Sequence, residues 1–162
     1  MRALSLAPLA RIASLAPLAA RVIIGIILFV HGLQKLTAGP ANFGQNTLGG
    51  LGVHLPVLMG YVVTFAELIG GILLIVGLLS RLAALILTID LVVAILLVKV
   101  NLGLISSQGS PPGAELDLAL IAGLLVILLA GPGKLSLDYA LGLDRDPITE
   151  GTTTGEDQAR SV

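Results

Sequence analysis

Long apolar stretches alternate with short polar or Gly- and Pro-rich segments along most of the chain. The apolar stretches cover residues 18–36, 55–79, 82–104 and 116–130. A helix needs about 20 consecutive apolar residues to cross the hydrocarbon core of a bilayer. The first three stretches come close to or exceed that length, and the fourth is the shortest. The pattern predicts an all-α protein, a four-helix transmembrane bundle.

Helix-breaking residues mark the ends of these stretches. Gly39-Pro40 closes the first, and Ser80-Arg81 predicts a tight turn that makes the second and third helices antiparallel neighbours. Gly131-Pro132-Gly133 ends the fourth, because proline cannot continue a helix and glycine takes unusual backbone angles. These boundaries divide the chain into a membrane-surface segment (1–20), a transmembrane domain (21–143) and a disordered cytoplasmic tail (144–162).

The N-terminal segment contains a short repeat, in which residues 5–11 return almost unchanged as residues 14–21. Its two prolines argue against one continuous helix. A segment that lies on the membrane surface is one interpretation, and a cleaved signal peptide is the other. Against the signal peptide, the apolar run begins only after Arg21 and leads into His31 rather than into a small-residue cleavage site.

The composition supports a membrane protein and excludes several other classes. Apolar residue types make up 56% of the 162 residues, charged types only 12%, and the mean hydropathy is +1.02. A disordered chain or a nucleic-acid-binding protein needs far more charge. The chain has no cysteine, so it forms no disulfide, thiolate metal site or iron–sulfur cluster. We therefore expect a multi-pass membrane protein whose first partner is the lipid bilayer.

The basic residues predict how the chain is oriented, because cytoplasmic loops carry an excess of Lys and Arg. With both termini in the cytoplasm, seven basic residues lie inside: Arg2, Arg11, Arg21, Arg81, Lys134, Arg145 and Arg160. Only Lys35 and Lys99 then lie toward the outside. The opposite orientation inverts this ratio. The prediction is therefore four spans with the N-terminus and the C-terminus both inside.

Four ionisable residues within the spans fall at matching depths. Counting from Arg21 at 1.5 Å per residue, His31 lies roughly 15 Å deep and Lys35 roughly 21 Å. Counting from Arg81, Glu67 lies roughly 21 Å deep and Asp90 roughly 14 Å. The depths predict that Lys35 pairs with Glu67 and that His31 pairs with Asp90. Lys99 is half a turn out of phase with Asp90, so we expect it at the outer interface near Glu115 or Asp117.

The helical faces group these residues into one polar cluster. His31, Gln34 and Lys35 share one side of the first helix. On the second helix, Glu67 shares its side with small residues that let a neighbouring backbone approach closely: Gly60, Thr64 and Gly71. One interpretation is a set of ion pairs that only fixes helix register. The other is a functional site in which Glu67 and Asp90 handle protons and His31, Gln34 and Lys35 bind a polar head group such as a quinone.

Other cofactors fit the sequence poorly. A membrane haem usually needs two axial ligands, and His54 falls in a connecting segment far from His31. One buried histidine and two carboxylates on separate helices are a weak metal signal, so we expect no metal site. The run Gly49-Gly50-Leu51-Gly52 follows no strand and precedes no Lys-Ser/Thr, which makes it a connector rather than a phosphate loop. No cofactor of the chain's own is expected, and a quinone is the candidate ligand.

Several motifs resemble those of the DoxX family of membrane proteins. The first span carries Arg21, Gly25 and the run Phe29-Val30-His31-Gly32-Leu33-Gln34-Lys35-Leu36, which looks like the family's first span. The run from Glu67 to Leu74, with Gly77 to Ala84, resembles its central block. Asp90 stands where the family tends to carry a polar residue. Gly131-Pro132-Gly133-Lys134-Leu135-Ser136-Leu137-Asp138 resembles its closing motif, so the resemblance covers roughly residues 20–140.

The resemblance implies a four-helix integral protein of the bacterial plasma membrane that is linked to redox chemistry. Relatives include the small subunit of a thiosulfate:quinone oxidoreductase, and others are proposed to anchor a sulfurtransferase and a superoxide dismutase in oxidant detoxification. Three functions stay open: a non-electron-carrying subunit of a membrane oxidoreductase, a scaffold that tethers soluble redox or sulfurtransferase enzymes through its acidic tail, and a small transporter. A homo-oligomer would help the third, because four helices are few for alternating access.

Overall fold

The computed structural model describes residues 15–100, 103–105 and 113–144. Its α-helices are α1 (Ala16–Ala38), α2 (Pro40–Phe43), α3 (Pro56–Val76), α4 (Ser80–Ala94), α5 (Glu115–Ala130) and α6 (Leu137–Ala140). A π-helical turn (Gly44–Leu48) and a 3-10 turn (Gly49–Leu51) follow α2, and a second π-helical turn (Ile95–Lys99) extends α4. No strand occurs in these ranges, so the described part of the chain is all-α as predicted.

Within the described residues, three helices are long and apolar enough to cross a membrane: Ala16–Ala38, Pro56–Val76 and Ser80–Lys99. They coincide with the first three apolar stretches of the sequence. α5 forms where the fourth stretch predicts a helix and ends at Ala130 before the Gly-Pro-Gly sequence, but it has 16 residues. A helix of that length spans about 24 Å, less than the hydrocarbon core of about 30 Å. The structure thus shows three candidate spans, and the fourth span stays a prediction.

The turn between α3 and α4 lies slightly earlier than the sequence predicts. α3 ends at Val76 and is capped by Gly77, whose φ of +77° favours glycine. The amides of Gly77 and Leu78 both donate to the carbonyl of Leu73, at 2.8 and 3.0 Å. The predicted Ser80-Arg81 turn is therefore wrong in detail, because residues 77–79 form the turn and Ser80 is the first residue of α4.

The long helices pack so that each contacts two neighbours. α1 contacts α3 and α5, and α4 contacts α3 and α5, so α1 and α4 lie diagonally across the core. The centre is apolar and almost fully enclosed, with its largest buried side chains from all four helices: Leu28, Leu74, Leu87, Leu124 and Ile127. At the α1–α3 contact the backbones touch, since a Cβ added to Gly71 would lie 2.7 Å from the carbonyl oxygen of Gly25.

The outer surfaces of the long helices are also apolar. Ile23, Ile89 and Leu129 are 59%, 56% and 76% exposed, and most large aliphatic residues on these helices share that orientation. A contiguous apolar exterior of this extent marks a membrane or partner surface in a folded protein. The fold therefore has apolar side chains both in its core and on its outer surface, as a membrane-embedded protein does.

The two terminal segments are only partly described. Residues 1–14 and 145–162, which hold most of the predicted surface segment and tail, lie outside the described residues. α1 begins at Ala16, so the last residues of the segment 1–20 belong to that helix. Asp144, the first residue of the predicted tail, forms an ion pair with Arg81, whose Nε lies 3.0 Å from its carboxylate.

Candidate functional site

Lys35 of α1 and Glu67 of α3 form an ion pair between the two helices. The Lys35 ammonium contacts the Glu67 carboxylate directly. The side chain of Glu67 is 7% exposed and that of Lys35 is 19% exposed, so the pair is largely withdrawn from the surface. The pairing predicted from equal depths is confirmed.

Close backbone packing brings these side chains together. Gly60, Thr64, Glu67 and Gly71 are all buried, which confirms the predicted face of α3. On α1, a Cβ added to Gly32 would lie 2.6 Å from the backbone nitrogen of Leu68. Small residues on both helices thus let α1 approach α3 closely, one turn from Lys35 and next to Glu67.

Phe43, at the end of α2, completes this site from the side of the connecting segment. The Lys35 Nζ lies 5.4 Å from the centre of the Phe43 ring, within the range of a cation–π contact. The segment is held against α3, since a Cβ on Gly44 would lie 2.9 Å from the Cα of Val57. Phe43 was missed from the sequence because it stands in a Gly-rich connector. The one sequence feature that could have pointed to Phe43 was its aromatic ring, in a chain with only three Phe.

The remaining predicted site residues are less closely associated. His31 and Asp90 are half-buried and Gln34 is exposed. Within the described residues, no nitrogen–oxygen contact of 4.0 Å or less joins His31 to Asp90, so that predicted pair is wrong. The reason is the helix arrangement: equal depth places both residues at one level, but α1 and α4 are diagonal.

A second ion pair joins α4 to α5. The Nζ of Lys99 lies 2.6 Å from a carboxylate oxygen of Asp117, and the two side chains are 20% and 9% exposed. Of the two acidic partners predicted for Lys99, the structure selects Asp117. The π-helical turn explains how Lys99 reaches it. One extra residue in the turn rotates Lys99 back by about 100°, so that it sits about 80° rather than 180° from Asp90.

A third polar group lies at the opposite end of the molecule and was not predicted as a unit. Arg21 is 1% exposed and donates to the backbone carbonyl of Leu135 in the closing motif. Its guanidinium occupies the space beside Gly77, where a Cβ would collide with it. The sequence treated Arg21 only as a marker of the membrane surface. The sequence feature that could have predicted this group was the family resemblance, whose motifs include Arg21, Gly77 and the closing segment.

Asp138 connects the closing motif to α4. Its two carboxylate oxygens accept from the amides of Leu79 and Ser80, at 2.6 and 2.8 Å, and so cap the start of α4. Its own amide donates to the carbonyl of Gly77 at 2.8 Å. Arg81 donates to the carbonyl of Leu128 at 2.6 Å. These bonds fasten the segment after α5 to the α3–α4 turn, which gives this end a structural role.

Metal-ligating residues do not converge in the described ranges. No group of three or more His, Asp or Glu side chains there is arranged to hold a metal ion. The residues at the Lys35–Glu67 site offer hydrogen bonding by an ammonium, proton exchange by a carboxylate and contact with an aromatic ring.

Comparison with known proteins identifies the family. The sequence profile named DoxX matches residues 16–100, more than half of the chain. An uncharacterized membrane protein of Mycobacterium tuberculosis, Rv3486, is 32% identical over 128 residues, which cover 75% of this chain and 78% of that protein. A Bacillus subtilis protein whose provisional name is oxidoreductase CatD is 37% identical over 120 residues, covering 73% of this chain and 81% of that protein. No solved structure gives a significant match. The chain belongs to the DoxX family of membrane proteins.

Proposed function

We propose that this chain is a membrane subunit of a redox-linked complex and that its Lys35–Glu67 site binds the polar head group of a quinone. The observation that carries the proposal is the position of Lys35. Its ammonium is held by a buried carboxylate, yet its side chain keeps 19% of its surface open, and Gln34 beside it is exposed. A lipid-soluble ligand can therefore approach the side chains of Lys35 and Gln34 from the bilayer. The oxidoreductase name of one relative supports the redox link.

The residues supply what quinone reduction requires of a protein. Lys35 has three N–H donors, of which Glu67 occupies one, so a donor is left for a quinone oxygen. Reduction of a quinone takes up two electrons and two protons. A donor aimed at the oxygen stabilises the developing negative charge, and carboxyl groups such as Glu67 and Asp90 exchange the protons. The electrons come from a partner, because the chain has no cysteine and only one histidine, His31, within a predicted span.

A binding experiment tests this site. The purified chain in lipid nanodiscs is titrated with a short-chain ubiquinone analogue by calorimetry. Substituting Lys35→Met together with Glu67→Leu removes both charges without leaving either unpaired, and we expect Kd to rise about tenfold or more from the lost charged hydrogen bond. Lys134→Ala changes an exposed lysine at the other end and serves as the control. Equal Kd values for all three proteins would contradict the proposed site.

We further propose that the chain crosses the plasma membrane four times with both termini in the cytoplasm. The count of basic residues supports this orientation. The absence of cysteine makes it testable, since a single introduced cysteine is the only thiol. A membrane-impermeant maleimide applied to intact cells is expected to label Asn46→Cys and not Leu141→Cys. The reverse labelling would contradict the orientation, and labelling of both would contradict the even number of spans.

A scaffold that tethers soluble enzymes is the second candidate. The observation that favours it is the Arg81–Asp144 ion pair, which fixes the start of the acidic tail at the Arg21 end of the bundle. If the tail tethers a sulfurtransferase or another soluble redox enzyme, deleting residues 145–162 is expected to release that enzyme from purified membranes. A variant in which the four acidic residues of the tail become amides separates charge from length. A partner that stays bound to both variants would contradict tethering.

A further inference from the structure

The segment that follows α5 has its polar side chains inside and its apolar side chains outside. Ser136 and Asp138 are buried, with exposures of 7% and 3%. The large apolar side chains that alternate with them or follow them are 42% to 63% exposed: Leu135, Leu137, Tyr139, Leu141 and Leu143. We call these five residues the closing-segment surface. An exposed group of large apolar side chains of this kind marks a contact surface.

Hydrogen bonds hold the polar side chains of this segment inward. The Asp138 carboxylate accepts from two amides at the start of α4, at 2.6 and 2.8 Å. The Ser136 hydroxyl donates to the carbonyl of Gly133 at 2.7 Å and accepts from the amide of Tyr139 at 3.1 Å. Because these bonds fix the backbone, the segment cannot turn its apolar side chains into the bundle without breaking them.

The same contacts place the segment at the level where two helices reach the membrane surface. The Asp138 amide donates to the carbonyl of Gly77 at 2.8 Å, so the segment packs against the turn between α3 and α4. Both of these helices are long and apolar enough to span a bilayer. The turn that joins two spans lies at the edge of the hydrocarbon core. The closing-segment surface therefore lies at that edge too.

A shallow groove connects the closing-segment surface to the outer side of α4. Leu79, Leu82 and Leu143 line this groove, with exposures of 47%, 52% and 60%. Arg81 and Asp144 also line it, and they pair with each other. The closing-segment surface is thus continuous with the apolar outer surface of the long helices, which the bilayer surrounds.

The length of α5 and the charge of the segment both favour lipid as the partner. α5 has 16 residues and is about 24 Å long, so the residues after it remain close to a hydrocarbon core of about 30 Å. Tyrosine is enriched at the level of the lipid head groups. Lys134 is the one exposed charged residue within residues 131–144, and its positive charge suits lipid phosphate.

We propose that the closing-segment surface lies in the head-group region of the bilayer, in the leaflet at the Arg21 end of the bundle. Its leucines contact the first carbons of the acyl chains, and Lys134 contacts phosphate. The lipid contact stabilises the segment that supplies Asp138, and so it helps to hold the start of α4. This surface lies at the opposite end of the molecule from the Lys35–Glu67 site and does not depend on what that site binds.

Tryptophan fluorescence provides the test, because the chain has no tryptophan of its own. Leu141→Trp places one in the closing-segment surface, and Ile89→Trp places one on the exposed side of α4 near its middle. Each full-length variant is studied in nanodiscs whose lipids carry bromine, a quencher, either near the ester groups or near the middle of the acyl chain. Leu141→Trp is expected to lose more fluorescence with bromine near the esters, and Ile89→Trp with bromine at mid-chain. Tyr139→Trp repeats the test if Leu141→Trp does not fold.

Three results would overturn the proposal. Quenching of Leu141→Trp by aqueous iodide as strongly as a free tryptophan amide, with none by brominated lipid, would show that the surface faces water. Protection from both quenchers would show that a second copy of the chain or the bundle itself covers it. Stronger quenching by mid-chain bromine, as in Ile89→Trp, would place the segment deep in the hydrocarbon rather than among the head groups.

Discussion

Removal of one partner of the Lys35–Glu67 pair is the perturbation whose size the structure constrains best. Glu67→Ala leaves the Lys35 ammonium between two helices with 19% of its side chain exposed and no other carboxylate within ion-pair distance in the described residues. Breaking a buried ion pair in this way typically costs 3–5 kcal/mol. Because Lys35 keeps some exposure, we expect a loss of about 3 kcal/mol in the free energy of unfolding.

A loss of about 3 kcal/mol in the free energy of unfolding distinguishes an ion pair from an ordinary interhelical hydrogen bond. Polar contacts between membrane helices contribute about 0.6 kcal/mol on average. Removing both charges at once, with Lys35→Met and Glu67→Leu, leaves no unpaired charge and is expected to recover all but about 1 kcal/mol. The double variant should therefore be more stable than Glu67→Ala alone.

Unfolding in mixed detergent micelles, followed by far-ultraviolet circular dichroism, measures these free energies. Glu115→Gln, which alters an exposed carboxyl, is the matched control and is expected to unfold like the unmodified chain. A loss in Glu67→Ala below about 1 kcal/mol would refute the buried pair. The single variants Lys35→Met and Glu67→Leu complete the comparison. A double variant whose loss equals the sum of the losses in these two would also refute the pair, because independent sites add and coupled sites do not.

Three further changes test how the helices are held. Gly77→Ala is expected to destabilise the chain by more than about 1 kcal/mol, because φ is +77° and the new Cβ collides with the Arg21 guanidinium; thermal unfolding in detergent measures it, and an unchanged midpoint would contradict the buried arginine. Asp138→Ala is expected to cost about 1–2 kcal/mol by removing the two hydrogen bonds that cap the start of α4, with faster amide hydrogen exchange in the first turn of that helix. Gly32→Leu is expected to separate α1 from α3 and abolish the folded state, whereas Gly50→Ala, where a Cβ meets nothing within 4 Å, is expected to be neutral. Similar expression and stability of the two glycine variants would contradict the close helix contact.

Helix positions and the Lys35–Glu67 pair could be predicted from the sequence because both depend on regular geometry. A rise of 1.5 Å per residue fixes the depth of a side chain once one end of the helix is known. The two residues lie in unbroken α-helices that are direct neighbours, so equal depth was enough. The fourth apolar stretch showed the limit of this reasoning, since hydropathy predicted a fourth span, whereas the helix that forms there has 16 residues and is about 24 Å long.

Lateral position could not be predicted in the same way. His31 and Asp90 share a level, but no sequence pattern said that α1 and α4 would lie diagonally. The orientation of Lys99 depended on a π-helical turn, which lacks a reliable sequence signal and changes the rotation of every later residue. Arg21 was misread for a related reason: its chemistry suits the membrane surface, while its burial depends on a closing segment more than 100 residues away.

The distance between Lys35 and Glu67 in a lipid bilayer tests the account's central claim most directly. Solid-state NMR can measure the dipolar coupling between ¹⁵N in the lysine ammonium groups and ¹³C in the glutamate carboxyl groups, with Lys35→Arg as the control that removes the signal. The account predicts a strong coupling for a nitrogen–carbon separation of about 3–4 Å, as in a direct ion pair. A coupling that is absent, or that persists in Lys35→Arg, would show that these groups face lipid or other partners rather than each other.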